Sequence, residues 1–282
     1  MERIYEIAGI RFRILSDGVP LMTEDSLLEN FRTYGGHDHT LKIQVVPALP
    51  APEGKLLYQD SRQRVFGNGP LRIRYVGATQ DSVEGAYLRI WRDGAKSLVQ
   101  VKKDAAPLGI TAKTVLLAME LEHQITVSGG ILLHASSVLH QGRAILFTAP
   151  SGVGKSTQAD LWCGHRGGKL LNGDRAVVRG GVVSGVPLCG SSHVAENVTA
   201  PIRAIVYLTQ APENKLTRLT GAKAFQKVWE GCSLDLWERE DMAQAVEAVT
   251  RIVTTVPVYH LACTPDVRAV ELLENEFFAM ND

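Results

Sequence analysis

The chain has 282 residues, 45% hydrophobic and 21% charged, the balance of an ordinary globular protein with a sizeable core rather than a disordered or fibrous one. Thirty Lys and Arg offset thirty Asp and Glu, and residues 1–105 carry 15 basic against 13 acidic side chains, so no polyanion-binding surface is expected and nucleic acid is excluded as a partner. Glu2, Arg3 and Glu6 interrupt any signal-peptide core and no uncharged apolar stretch is long enough to span a bilayer, so the expectation is a cytoplasmic protein with no membrane partner.

Residues 4–15, 41–46, 71–76 and 87–91 alternate apolar with polar between turn clusters such as Gly67-Asn68-Gly69-Pro70 and Arg92-Asp93-Gly94, which predicts an antiparallel β domain. Pro47-Ala48-Leu49-Pro50-Ala51-Pro52 predicts an extended loop, because proline fixes φ and disfavours helix in the residue before it. Val115, Leu116, Met119, Ile125 and Val127 recur at near-helical intervals and predict a helix over 112–127, ended by Gly129-Gly130. A domain boundary is expected within 104–110, giving a β-rich amino-terminal domain over 1–108 and a second domain over 109–282.

In the second domain, 131–139 and 143–148 predict a hairpin about a Gln141-Gly142 turn, its second strand feeding a glycine-rich loop and then a helix to about residue 163. Further strands are expected at 169–171, 176–178, 202–208 and 258–262, and helices at 222–230, 240–253 and 266–277. Strands mixed with helices indicate an α/β core, and no internal repeat is visible. Four dispersed cysteines, Cys163, Cys189, Cys232 and Cys263, include no Cys-x-x-Cys pair, which argues against a zinc site or a disulfide framework.

The strongest chemical signal is strand, then Ser151-Gly152-Val153-Gly154-Lys155-Ser156-Thr157, then helix, the context that a phosphate-binding P-loop requires. Glycines let backbone N–H groups converge on phosphate oxygens, the helix amino terminus adds the positive end of its dipole, and Lys155 supplies a point charge for the β and γ phosphates. Ser156 is placed to ligate Mg²⁺ through its hydroxyl. Ala149 replaces the first glycine of the motif but leaves the cradle intact. No Asn-Lys-x-Asp guanine signature is present, since Asn214-Lys215-Leu216 is followed by Thr217, which cannot accept the paired guanine N–H groups as a carboxylate does; this favours ATP over GTP.

These residues resemble the HPr kinase-like serine kinases, a branch related to the phosphoenolpyruvate carboxykinases. In that family a histidine on the strand before the P-loop strand and an acidic motif after the P-loop helix complete the site. His134, in Leu132-Leu133-His134-Ala135-Ser136-Ser137-Val138, and Asp174, in Asn172-Gly173-Asp174-Arg175, match those positions, over a resemblance spanning roughly residues 130–210. It implies an α/β fold with a P-loop HPr kinase/phosphoenolpyruvate carboxykinase-like core, ATP and Mg²⁺ as cofactors, Ser156 and Asp174 on the metal, and His134 and Asp174 as catalytic groups. Asp174 would bind metal or accept the hydroxyl proton, and His134 would orient or help deprotonate the acceptor. Ala135 replaces the family's usual glycine, Gly173-Asp174 replaces its paired acids, and no Arg-Gly-Leu-Gly-Ile-like segment follows, which argues against a reverse phosphatase activity and against HPr itself as substrate.

The reading is therefore an ATP-dependent kinase of an alcohol, with a serine hydroxyl of the free amino acid, a peptide or a small protein as acceptor. A nucleotide-binding regulatory module without phosphoryl transfer, and another small-metabolite kinase, are the alternatives. The HPr kinases are hexamers, so the resemblance allows a homo-oligomer. Two polar runs receive no catalytic role: 190–197, a substrate-facing loop or a solvated connection that contains Ser191, His193, Glu196 and Asn197, and Gly35-Gly36-His37-Asp38-His39, a surface turn rather than a metal site.

Overall fold

The computed structural model describes residues 1–22 and 26–278, and the chain divides into two compact units. The first comprises Met1–Gln124 together with Leu236–Arg239, and the second Ile125–Asp235 together with Glu240–Asp282. The division falls between Gln124 and Ile125 rather than at 108/109, and the first unit is not contiguous in sequence.

The first unit contains β1 (Glu2–Ile7), β2 (Ile10–Asp17), β3 (Leu21–Met22), α1 (Ser26–Glu29), β4 (Arg32–Thr33), β5 (His39–Val46), β6 (Lys55–Gln59), β7 (Gln63–Asn68), β8 (Leu71–Val76), β9 (Leu88–Asp93), β10 (Lys96–Lys102), β11 (Ile110–Thr111) and α2 (Ala112–Met119), while α3 (Leu121–Val127) crosses the division. The expected run over 4–15 is two strands, because Ala8 and Gly9 adopt positive φ, 51° and 80°, and reverse the chain. Strand periodicity sets the faces: Ile10, Phe12 and Ile14 are buried while Arg11 and Arg13 point outward.

The main sheet runs β4-β1-β2-β5-β10-β9-β8-β7-β6. It is mixed rather than antiparallel, since β5 inserts between β2 and β10 and runs parallel to both. Within 35–39, Asp38 accepts from the Arg11 backbone N–H at 2.8 Å, His39 opens β5, and its ring stacks on Phe12.

The helix expected over 112–127 breaks at Glu120, which takes left-handed backbone (φ 46°) between α2 and α3. An ion pair accompanies that break. Arg92 donates through Nε to Glu120 Oε2 at 2.8 Å and through Nη2 to Glu238 Oε1 at 2.5 Å, with all three side chains buried. Arg72 also donates to Glu238, at 3.0 Å, and Trp237 beside it packs on Tyr58 and under Arg74, so segment 236–239 is held in the first unit by charge and by an aromatic contact.

The second unit contains β12 (Ile131–His140), β13 (Arg143–Thr148), α4 (Lys155–Arg166), β14 (Lys169–Asn172), β15 (Arg175–Arg179), β16 (Val182–Gly185), β17 (Thr199–Gln210), β18 (Lys215–Leu219), α5 (Gly221–Trp229), β19 (Cys232–Ser233) and β20 (Val258–Cys263). Its last helices are α6 (Arg239–Thr255), which starts at the division, and α7 (Val267–Phe278). Its sheet runs β13-β12-β15-β16-β17-β20-β18, and β13 also pairs with β17, so five of these strands close on themselves. β13, β17 and β20 are parallel neighbours, so their carboxyl ends open along one edge.

Both faces of this sheet are covered. Ile131, Leu133, Leu146 and Ile205 pack with Val228 of α5 and Val249 and Ile252 of α6, whereas Ile145, Phe147 and Val206 pack with Trp162 of α4 and Val270 and Leu273 of α7. The protein is thus mixed α/β, dominated by large sheets, and among the described residues no helix is long and apolar enough to cross a membrane.

Replacing Arg92 would take the guanidinium from the buried Glu120 carboxylate and leave Glu238 to Arg72 alone. Arg92→Met is expected to cost about 3–5 kcal/mol of the first unit's stability, read as a lowered urea midpoint in its unfolding transition.

Candidate active site around a glycine-rich loop

β13 ends at Thr148 and the chain turns through 149–154 into α4. Gly152 and Gly154 adopt φ of 81° and 122°, backbone that a side chain disfavours, and a Cβ at either would meet no neighbouring atom. The requirement here is conformational rather than steric. Ser151, Ser156 and Thr157 are exposed, and Val153 donates its N–H to Pro150 O at 3.4 Å to close the turn. Lys155 is buried, with its Nζ 3.1 Å from Ala149 O, so its ammonium folds back over the start of the loop. Burial lowers its pKa and Arg175 adds to that effect, while Asp174 opposes it, so the three charges sense one another.

His134 belongs to β12, between β13 and β15. Thr148 Oγ1 donates to His134 O at 3.0 Å, and the His134 N–H donates to Gly231 O at 2.8 Å. Gly231 fits because a Cβ there would lie 2.6 Å from Thr148 Oγ1. His134 is the register partner of Arg175, and Ala135 N–H donates to Asp174 O at 3.0 Å, so strand pairing alone brings the acidic segment alongside the histidine.

The aim of Asp174 comes from a buried amide. Asn172, fully buried at the end of β14, accepts through Oδ1 from the backbone N–H groups of Asp174 (2.9 Å) and Arg175 (3.0 Å) and donates through Nδ2 to Val186 O at 2.6 Å. This Asx turn leaves the Asp174 carboxylate between two partners: Oδ1 is 3.1 Å from His134 Nε2 and Oδ2 is 3.0 Å from Arg175 Nη1. Burial lowers the His134 pKa, Arg175 and Lys155 lower it further, and Asp174 partly opposes them. A neutral imidazole that donates Nε2–H to Asp174 keeps Nδ1 as an acceptor.

The polar run 190–197 reaches this centre through glycines. A Cβ on Gly190 (φ 57°) would lie 2.9 Å from Asp174 Cβ, and one on Gly173 would lie 2.2 Å from Ser192 Oγ. The loop therefore seats directly on Asp174. Glu196 instead pairs with Lys169 at 2.9 Å, on an exposed surface.

The structure thus brings together His134, Asp174 and Lys155, the candidates of the sequence, and adds Arg175 to them. The signal for Arg175 was its position directly after Asp174, but its partnership with that carboxylate depends on the Asn172 turn. Two cations and a neutral imidazole around one carboxylate make a centre suited to anionic phosphoryl groups. Among the described residues no group of three or more His, Cys, Asp or Glu is arranged to hold a metal ion. The Ser156 hydroxyl, exposed in the first turn of α4, and the Asp174 carboxylate are oxygen donors of the kind a Mg²⁺ would take, with its other ligands left to substrate phosphates and water.

Asn172→Ala would orphan two backbone N–H groups and one buried carbonyl. The expected loss is at least about 2 kcal/mol, measured as a lowered urea midpoint for the second unit. Compared with known proteins, the sequence matches no family model and no curated protein.

Proposed function

We propose that this chain is an ATP- and Mg²⁺-dependent kinase that transfers the γ-phosphoryl group to an alcohol, a serine hydroxyl of the free amino acid, a peptide or a small protein, on a P-loop core of the HPr kinase-like kind. The observation that carries the reading is the Asp174 carboxylate held 3.1 Å from His134 and 3.0 Å from Arg175, with the buried Lys155 close enough to sense its charge. A structural turn has no need of a half-buried imidazole, a carboxylate and two cations at the mouth of a glycine-rich loop.

Phosphoryl transfer demands positioning and charge neutralisation more than covalent chemistry. The loop N–H groups and the α4 amino terminus would hold the β and γ phosphates, with Lys155 and Arg175 neutralising charge on the transferred group. Ser156 and Asp174 would hold the Mg²⁺, which when bound would draw charge from the phosphate oxygens. The acceptor oxygen attacks the γ phosphorus in line as the bond to the β-phosphate oxygen breaks, and ADP departs. The hydroxyl proton passes to the His134–Asp174 pair, in which Nδ1 of a neutral His134 is the open acceptor and Asp174 stabilises the imidazolium that forms.

Lys155→Ala should weaken MgATP binding by roughly 1.5–3 kcal/mol and cut turnover more, because charge accumulates on the group in flight. Unchanged MgATP affinity in that variant would remove the phosphate cradle from the account.

Asp174→Asn keeps the shape but removes the charge. It should lower acceptor-dependent ADP formation by at least about 10²-fold, and His134→Ala by roughly 10-fold or more, with nucleotide affinity changing much less in both. The assay is ADP release against a panel of free serine, serine-bearing peptides and sugars. Wild-type turnover in both variants would refute the assignment of the site, and a panel that never stimulates ADP release would replace the kinase with a nucleotide-binding regulatory module.

A further inference from the structure

A cavity of about 340 Å³ lies beside the glycine-rich loop, toward the low end of the roughly 300–1,000 Å³ typical of ligand pockets. One wall is the loop and the first turn of α4, including Val153 and Gln158. The other is the chain leaving the carboxyl ends of β17, at Ala211, and β20, at Cys263, Thr264 and Pro265. Ligands of parallel sheets bind at this edge, and a base attached to phosphates held by the loop would extend here.

Gln158 is the anomaly in this wall. It is 2% exposed, yet only half of its amide is used: Nε2 lies 3.4 Å from both Cys263 Sγ and Thr264 O, whereas Oε1 has no hydrogen-bond partner among the described residues. Gln158 lines the cavity, and its amide oxygen, buried in this structure, is an acceptor whose donor the described residues do not supply.

The neighbouring carboxylate and amide are already engaged. Asp266 Oδ1 accepts from the Arg268 backbone and Nε, and its Oδ2 accepts from Thr264 Oγ1 and Arg268 Nη2. Asn214, which opens the incomplete guanine-like run, accepts through Oδ1 from the Thr264 backbone N–H at 2.9 Å, which ties the two loops together. Among the described residues no Asp or Glu lines the cavity, so guanine would find no two-oxygen acceptor there for its N1–H and N2–H₂ groups. Val153, Ala211 and Pro265 offer apolar surface to a flat ring.

We propose that this cavity is an adenine site in which Gln158 Oε1 accepts a hydrogen bond from the exocyclic 6-amino group. Guanine carries a carbonyl oxygen at that position and would set acceptor against acceptor. The assignment rests on the reading of 151–157 as a phosphate cradle and names the residue that selects the base.

Calorimetric titration of the full chain with MgADP, MgGDP and magnesium tripolyphosphate separates the two readings. Wild type should bind MgADP at least about 10-fold tighter than MgGDP. Gln158→Met, which keeps an unbranched side chain but removes the acceptor, should bring that ratio close to one while tripolyphosphate still binds, the latter also reporting an intact fold. Equal MgADP and MgGDP affinities in wild type, or an unchanged ratio in Gln158→Met, would overturn the adenine site and leave the phosphate cradle standing. Failure of all three to bind wild type would overturn both.

Discussion

The pairing of β12 with β15, which sets His134 opposite Arg175, is the constraint on which the site depends. β12 is also hydrogen-bonded to β13, β14 and β19, so its backbone is fixed from several directions at once. Register between strands is costly to change, because a slip of one residue sends every side chain to the opposite face. The strand that precedes the glycine-rich loop and the strand that follows Asp174 are therefore locked to the same central strand. The distances among His134, Asp174 and the start of α4 follow from backbone pairing rather than from flexible side-chain reach.

Charge is then balanced within a small volume. Asp174 is shared by an imidazole and a guanidinium, and the Lys155 ammonium rests on backbone carbonyls rather than in a tight pair with a carboxylate. A lysine held by neutral acceptors can transfer its contacts to an incoming phosphate at little electrostatic cost, whereas one locked to a carboxylate could not. The same sheet opens a cavity between the glycine-rich loop and the ends of β17 and β20, so the kinase reading rests on His134, Asp174 and Lys155 and the adenine reading on Gln158.

Features set by neighbouring residues were legible in the sequence. The loop glycines, the hairpin over 131–148 with Gln141 and Gly142 at positive φ, and the helix after the loop all follow from short-range rules, and the structure contains them. What escaped is non-local. The parallel insertion of β5 depends on which strands it meets, not on its own alternation. Glu238 joins the first unit through Arg92, 146 positions away in the chain, and Glu120 interrupts a helical pattern while its carboxylate meets the same arginine. Arg175 acquires its partner through the side chain of Asn172, and Gln158 becomes informative only once the ends of β17 and β20 lie beside it.

The most direct test is a crystal structure of the protein with Mg²⁺ and a non-hydrolysable ATP analogue. The account predicts a triphosphate wrapped by residues 151–157, its terminal phosphate in contact with Lys155 Nζ and facing the His134–Asp174 pair. A triphosphate bound away from this loop, or one whose terminal phosphate points away from His134 and Asp174, would contradict it.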